Sequence, residues 1–326
     1  MLRNKRTILL ISVLALAQFA DVANADYLFG TPVNLGSIVN SSSNDAAPNI
    51  SSDGLSLYFS SNRSGGSGGW DIWVTTRETV DSPWGEPMNL GPNVNTSFDD
   101  GTSSISADGL TLYFSSKRSD GYGKDDLWIV TRDTIDDEWG AAMNLGPTIN
   151  SSSLDWSPSI SADGLELYMH SDRPSSYGGD ELWVARRETT NDDWGSPENL
   201  GPAVNSPSLD ATPSISADGL LLFFQSNRPG GYGGVVDIWF TTRATKDSPW
   251  AEAMNIGPSI NSSGWEGNPS ISADGSTLYF ASWRSGGYGG NDLWQVSISP
   301  MSDDFRVNRD SDSAPESVNS NGGKEG

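Results

Sequence analysis

Ser106-Ala107-Asp108-Gly109, running directly into Leu110-Thr111-Leu112-Tyr113-Phe114, is the stretch whose reading decides the fold. An Asp-Gly pair ahead of alternating apolar and polar residues is a tight turn feeding a strand. The Ser-x-Asp-Gly element returns with its aspartate at Asp53, Asp163, Asp218 and Asp274, spacings of 55 residues with 56 in the last interval. A period of that length, held along almost the whole chain, is the signature of a repeat architecture. The extra residue lies in the fourth unit, near Val235-Val236, where Arg228 and Asp237 stand one position further apart than Arg63 and Asp71.

Working outward from the turn, each unit supplies four short strands. One precedes the Asp-Gly pair, as in Pro158-Ser159-Ile160, and the second follows it. A glycine-rich loop such as Gly286-Gly287-Tyr288-Gly289-Gly290 leads to a third, apolar strand such as Asp126-Leu127-Trp128-Ile129-Val130. A fourth ends in Asn-Leu-Gly or Asn-Ile-Gly, at Asn89, Asn144, Asn199 and Asn255. Four short antiparallel strands per repeat make a propeller blade. No capped amphipathic helix lies between them, which excludes a parallel sheet built from alternating strands and helices.

The fifth unit stops after its third strand, at Asp292-Leu293-Trp294-Gln295-Val296, while Thr31-Pro32-Val33-Asn34-Leu35-Gly36 is a fourth strand with no unit of its own. The sequence therefore predicts an all-β, five-bladed β-propeller over residues 26–300, closed by the N-terminal strand completing blade five. Residues 1–25 read as a secretory signal peptide: Arg3, Lys5 and Arg6 precede an apolar run, and Ala23-Asn24-Ala25 fits a cleavage site. Residues 301–326 read as a disordered polar tail.

Composition narrows the function. The chain has 326 residues, 35% hydrophobic and 10% aromatic, enough for a large core, and no cysteine, so stability rests on packing and ring closure. A net charge of −23 repels nucleic acid and anionic lipid, whose binding needs clustered Lys and Arg. No apolar run after the signal reaches the length of a membrane-spanning helix. The expectation is an exported monomer, periplasmic or extracellular, with protein, peptide or glycan partners and no nucleic acid.

The motifs Ile-Ser-Ala-Asp-Gly, Leu-Tyr-Phe, Asn-Arg-x-Gly-Gly-Tyr-Gly-Gly and Asp-Ile/Leu-Trp recur in one order, with variation, over residues 31 to 300. This pattern resembles the WD-like β-propeller repeats of the TolB type found in bacterial envelope proteins. The resemblance implies an envelope setting. The 26 residues after Pro300 hold no OmpA-like domain, so anchorage by that route is not expected.

Candidate site residues fall into three groups. An acidic series, Asp45, Asp100, Asp155, Asp210 and Glu266, stands just before the innermost strands, each five residues after an asparagine. Propeller geometry puts these residues around one mouth of the central channel, where they either bind Ca²⁺ or a cationic peptide or cap backbone N–H groups of their own turns. Tyr122, Tyr177, Tyr232 and Tyr288 sit in the glycine-rich loops and either stack on a ligand or fold over the loop. Arg63, Arg118, Arg173, Arg228 and Arg284 each precede an acidic residue of the third strand, Asp71, Asp126, Glu181, Asp237 and Asp292, and read as structural clamps because every blade repeats them.

Catalysis needs departures from five-fold likeness, and few are visible: His170, Trp156, Trp265 and Trp283. No nucleophile elbow, phosphate loop or multi-histidine metal motif occurs. The expectation is a non-enzymatic scaffold binding protein or peptide partners. The alternatives are a multivalent lectin and a carbohydrate-active enzyme working through carboxylates alone.

Overall fold

The computed structural model describes residues 27–174, 178–232 and 234–300. The expected signal peptide, the polar tail and Tyr177 lie outside the described residues. Within Phe29–Ile298, a five-bladed β-propeller is formed as the period predicts. Blade one runs outward from Asp45–Ile50 through Ser56–Ser61 and Asp71–Thr76 to Met88–Asn89, each strand antiparallel to the one before. Blades two, three and four repeat this order from innermost strands Asp100–Ile105, Asp155–Ile160 and Asp210–Ile215.

Blade five is made from both ends of the chain. Glu266–Ile271, Thr277–Ser282 and Asp292–Pro300 come from the C-terminal side, and Val33–Asn34 pairs with the last of them, Val33 opposite Gln295 and Asn34 opposite Trp294. Asn34 Nδ2 donates to Asp292 at 2.9 Å, and Leu35 N–H donates to Leu293 O at 3.0 Å.

The turn that sets the period is built from its own side chains. Asp108 Oδ1 accepts from the Ser106 hydroxyl and from Leu110 N–H, and Ser106 Oγ accepts from Thr111 N–H at 2.9 Å. Gly109 sits at φ +73°, a conformation that excludes most other residues.

The core lies between blades rather than within them. Five hydrophobic clusters each join side chains of two adjacent blades, such as Tyr58 and Ile72 of blade one with Leu112, Phe114 and Trp128 of blade two. An asparagine latch ties each crossing. Asn95 accepts from Ile72 N–H at 2.8 Å and donates to Ile72 O at 2.9 Å, imitating a strand partner at the entrance to blade two.

Each innermost strand carries a bulge whose central residue has positive φ: Ala47, Thr102, Ser157, Thr212 and Asn268. At four junctions that residue's N–H donates to a side chain of the preceding blade: Thr102 to Ser60, Ser157 to Ser115, Thr212 to His170 and Asn268 to Gln225. The fifth would be Ala47 to Ala281, and alanine has no acceptor.

Candidate functional site

The two faces of the propeller differ. One carries the Asp-Gly turns; the other, where the innermost strands begin, carries the glycine-rich loops. Between them the central channel narrows to small cavities, about 30 Å³ at the loop-face end, lined by residues such as Thr102, Ser157, Thr212 and Pro269, and about 70 Å³ at the turn end, lined by residues such as Ser104, Ile160 and Ile215.

The acidic series lies at the loop face and is fully buried. Each carboxylate is occupied by its own blade. One oxygen of Asp45 accepts from the backbone N–H and hydroxyl of Ser41, and the other accepts from Arg63 at 2.6 Å. Asp100 does the same with Thr96 and, at 2.9 Å, Arg118; Asp155 with Ser151 and Arg173; Asp210 with Ser206 and Arg228. Glu266 accepts from Ser262 and lies 3.2 Å from Arg284. Among the described residues, no three His, Cys, Asp or Glu side chains converge in a way that could hold a metal ion.

The arginines thus pair with a different carboxylate from the one their spacing suggests. The third-strand acids lie among loop N–H donors and accept from those instead: Asp126 from Tyr122 and Gly123, Asp292 from Tyr288 and Gly289. Asn144 Nδ2 adds a further bond to Asp126 at 2.8 Å. Each guanidinium is freed to reach inward, where Arg118 lies 5.1 Å from the Phe114 ring centroid and 4.7 Å from that of Trp128. The loops are pinned at their base while their rings face solvent: Tyr122 is 54% exposed, Tyr232 47% and Tyr288 54%.

Departures from five-fold likeness concentrate on this face. At each junction three variable positions meet, from the residues before the third strand, before the innermost strand and after the second strand. Between blades one and two they are Trp70, Asp99 and Lys117. Asp99 accepts from Trp70 N–H at 3.1 Å and pairs with Lys117 at 2.9 Å. Between blades two and three they are Asp125, Leu154 and Asp172, with Asp172 accepting from Leu154 N–H at 2.6 Å and pairing with Lys124 at 2.8 Å. Trp156 lies beside this group, its ring 5.7 Å from the Lys117 ammonium.

Asp125 is the unusual member. It is only 5% exposed, and its Oδ1 is buried with no hydrogen-bond partner among the described residues. Burial pushes its carboxyl up to about 6; Lys117 pulls the other way, and the Asp99, Asp126 and Asp172 charges add repulsion. Asp99 and Asp172 move oppositely. Burial acts to raise each, but Lys117 with Trp70 N–H, and Lys124 with Leu154 N–H, outweigh it and hold both below the usual carboxylate range. Carboxyls whose pKa values are pushed in opposite directions, Asp125 up and Asp99 and Asp172 down, therefore share a single face.

His170 has a structural task. Its Nδ1 accepts from Thr212 N–H at 3.4 Å, and burial lowers its pKa to about 4, keeping the ring neutral. Sequence reasoning singled out Trp156 but missed Asp125, Asp99, Asp172 and Lys117. The signal lay in aligning the units: Trp70, Asp125, Asp180, Val236 and Asn291 occupy one repeat position with different chemistries.

No protein-family model matches the chain, and no curated protein matches it. Solved structures do. An α-L-arabinofuranosidase from Lactobacillus brevis is similar over 80% of this chain and 92% of its own at TM-score 0.55 and 13% identity. An arabinanase from Bacillus subtilis is similar over 84% and 99% at TM-score 0.53 and 12% identity. A putative TolB from Agrobacterium tumefaciens is similar over 85% and 98% at TM-score 0.49 and 14% identity.

Likeness at such identities establishes the propeller fold. It also corrects two expectations drawn from the repeat. The reading as a non-enzymatic scaffold for protein partners took near five-fold likeness as a mark of binding without catalysis. Similar propellers are named as carbohydrate-active enzymes, and the loop face here is strongly asymmetric. The denial of enzyme function falls with that premise.

Proposed function

We propose that this protein is a carbohydrate-active propeller that binds a saccharide across its loop face and cleaves it between blades one and three, Asp125 donating the proton and an ionised neighbour, Asp99 or Asp172, acting opposite it. The observation that carries this reading is Asp125 itself, a buried carboxyl with a free oxygen among ionised carboxylates. Glycoside cleavage needs that division: a protonated carboxyl to hand a proton to the departing oxygen, and a carboxylate to activate water or attack carbon.

Trp70 borders the junction of blades one and two and Trp156 that of blades two and three, where an indole face suits the C–H face of a sugar ring. Lys117 and Lys124 keep Asp99 and Asp172 ionised, so the face does not fill with protons when Asp125 does. Export is part of the proposal, since the basic and apolar leader would deliver the protein to extracellular or periplasmic glycans.

The test is a glycan array followed by product analysis on the glycans bound, beginning with arabinan and arabino-oligosaccharides. Asp125→Asn should abolish cleavage and leave binding within a few-fold. Because the acid must be protonated, the wild-type rate should fall as pH rises through about 6. An unchanged rate in Asp125→Asn removes the assignment, and a protein that binds no glycan removes the whole reading.

A further inference from the structure

The loop face is divided into a charged half and a neutral half. Asp99, Lys117, Lys124, Asp125, Asp172 and Asp180 all lie at the junctions between blades one and four. From blade four round to blade one, the variable positions carry only indoles, amides and Val236. Between blades four and five they are Trp265 and Trp283, whose ring centroids stand 6.4 Å apart with planes inclined at 57°. Between blades five and one they are Asn44, Asn62 and Asn291, linked by Asn291 N–H to Asn44 Oδ1 and Asn44 N–H to Asn62 Oδ1.

The indole pair is built into its backbone. A Cβ on Gly264 would lie 2.8 Å from Trp283 Cδ1, and one on Gly267 would lie 2.6 Å from Trp265 Cζ2, so both rings occupy space that only glycine leaves. At the equivalent sites of blades one, three and four, a polar side chain accepts the neighbouring backbone N–H: Asn62, Asp172 and Asn227. Blade five gives up that bond and puts an indole in its place that is 52% exposed. Burying Trp283 in the core would be the ordinary use of such a side chain; leaving half of it in water on a prepared seat is not.

We infer that the Trp265–Trp283 pair is a sugar-stacking platform that, with the Asn44 and Asn62 amides beside it, holds a neutral oligosaccharide whose further units reach the carboxylates. This rests on the carbohydrate-active reading above and names its substrate class: an uncharged chain, longer than the cleavage site alone accommodates. Indole faces with carboxamides and no formal charge suit neutral sugars, which offer C–H faces for stacking and hydroxyls for hydrogen bonding. An anionic polymer would find on this half of the face only arginines already paired with buried carboxylates, such as Arg63 and Arg284, and Lys117 and Lys124 on the other half are paired as well.

The experiment titrates linear arabino-oligosaccharides and cello-oligosaccharides of increasing length into Asp125→Asn protein, with and without Trp283→Ala. Loss of one aromatic face should weaken the longest ligands roughly tenfold and leave the shortest within about twofold. Trp283→Tyr should restore most of the affinity. Gly264→Ala, which pushes the ring aside without removing it, should reproduce the loss and serves if Trp283→Ala does not fold. Equal affinity at every length in parent and variants overturns the platform while leaving the cleavage site standing. Failure of the parent to bind any oligosaccharide overturns both.

Discussion

His170 offers a quantitative check on the interior. The ring is buried, its Nδ1 accepts Thr212 N–H at 3.4 Å, and its pKa falls from 6.5 to about 4. A base with a lowered pKa takes up a proton more readily when unfolded. The native state is therefore favoured while the ring is neutral in both states, above about pH 6.5, and loses stability as pH falls toward 4. With those two values the loss is about 2 kcal/mol at pH 5 and about 3 kcal/mol at pH 4, against a few tenths at pH 7. Gln225 fills the equivalent place in blade four and accepts Asn268 N–H at 3.1 Å, so His170→Gln keeps an acceptor and removes the titration. Urea unfolding of both proteins at pH 7 and pH 5 isolates the effect, because acid changes in the carboxylates are common to the two. The variant should gain about 2 kcal/mol on wild type between the two pH values. Parallel stability curves would refute the argument.

Two stability predictions accompany it. Deletion of residues 26 to 36 removes the outer strand of blade five, with the bonds from Asn34 to Asp292 and from Leu35 to Leu293, and should lower the melting midpoint by about 10 °C or more; an unchanged midpoint counts against closure. Arg118→Ala strands the fully buried Asp100 carboxylate and should cost about 3–5 kcal/mol by urea unfolding, part of it recovered in Arg118→Ala/Asp100→Asn.

What the sequence disclosed follows from what repetition can encode. Spacing of the Asp-Gly turns, apolar alternation and the stray strand at Val33–Asn34 fixed blade number and closure before any coordinate. Partner choice did not follow. Arg118 is equally compatible in sequence with Asp126 and Asp100, and only the folded loop shows that Tyr122 and Gly123 N–H already claim Asp126. Asp125 was hidden for a related reason: beside Asp126 it reads as one more surface charge, whereas burial, which raises its pKa, sets it apart from Asp99 and Asp172. The aromatic departures Trp156, Trp265 and Trp283 were visible in sequence, but their gathering on one face, with Trp283 and Trp265 seated on Gly264 and Gly267, depends on how blades adjoin.

The alanine pair at positions 47 and 281 gives this ring a seam. Four neighbouring blades are stitched at their bulges by a hydrogen bond to Ser60, Ser115, His170 or Gln225, while the fifth junction, which also joins the two ends of the chain, lacks that stitch. A perfectly repetitive wheel would open anywhere with equal ease. This one has a designated door: amide protons along Asp45–Ile50 and Thr277–Ser282 should exchange with solvent before their counterparts elsewhere, and mechanical pulling should part the wheel there first.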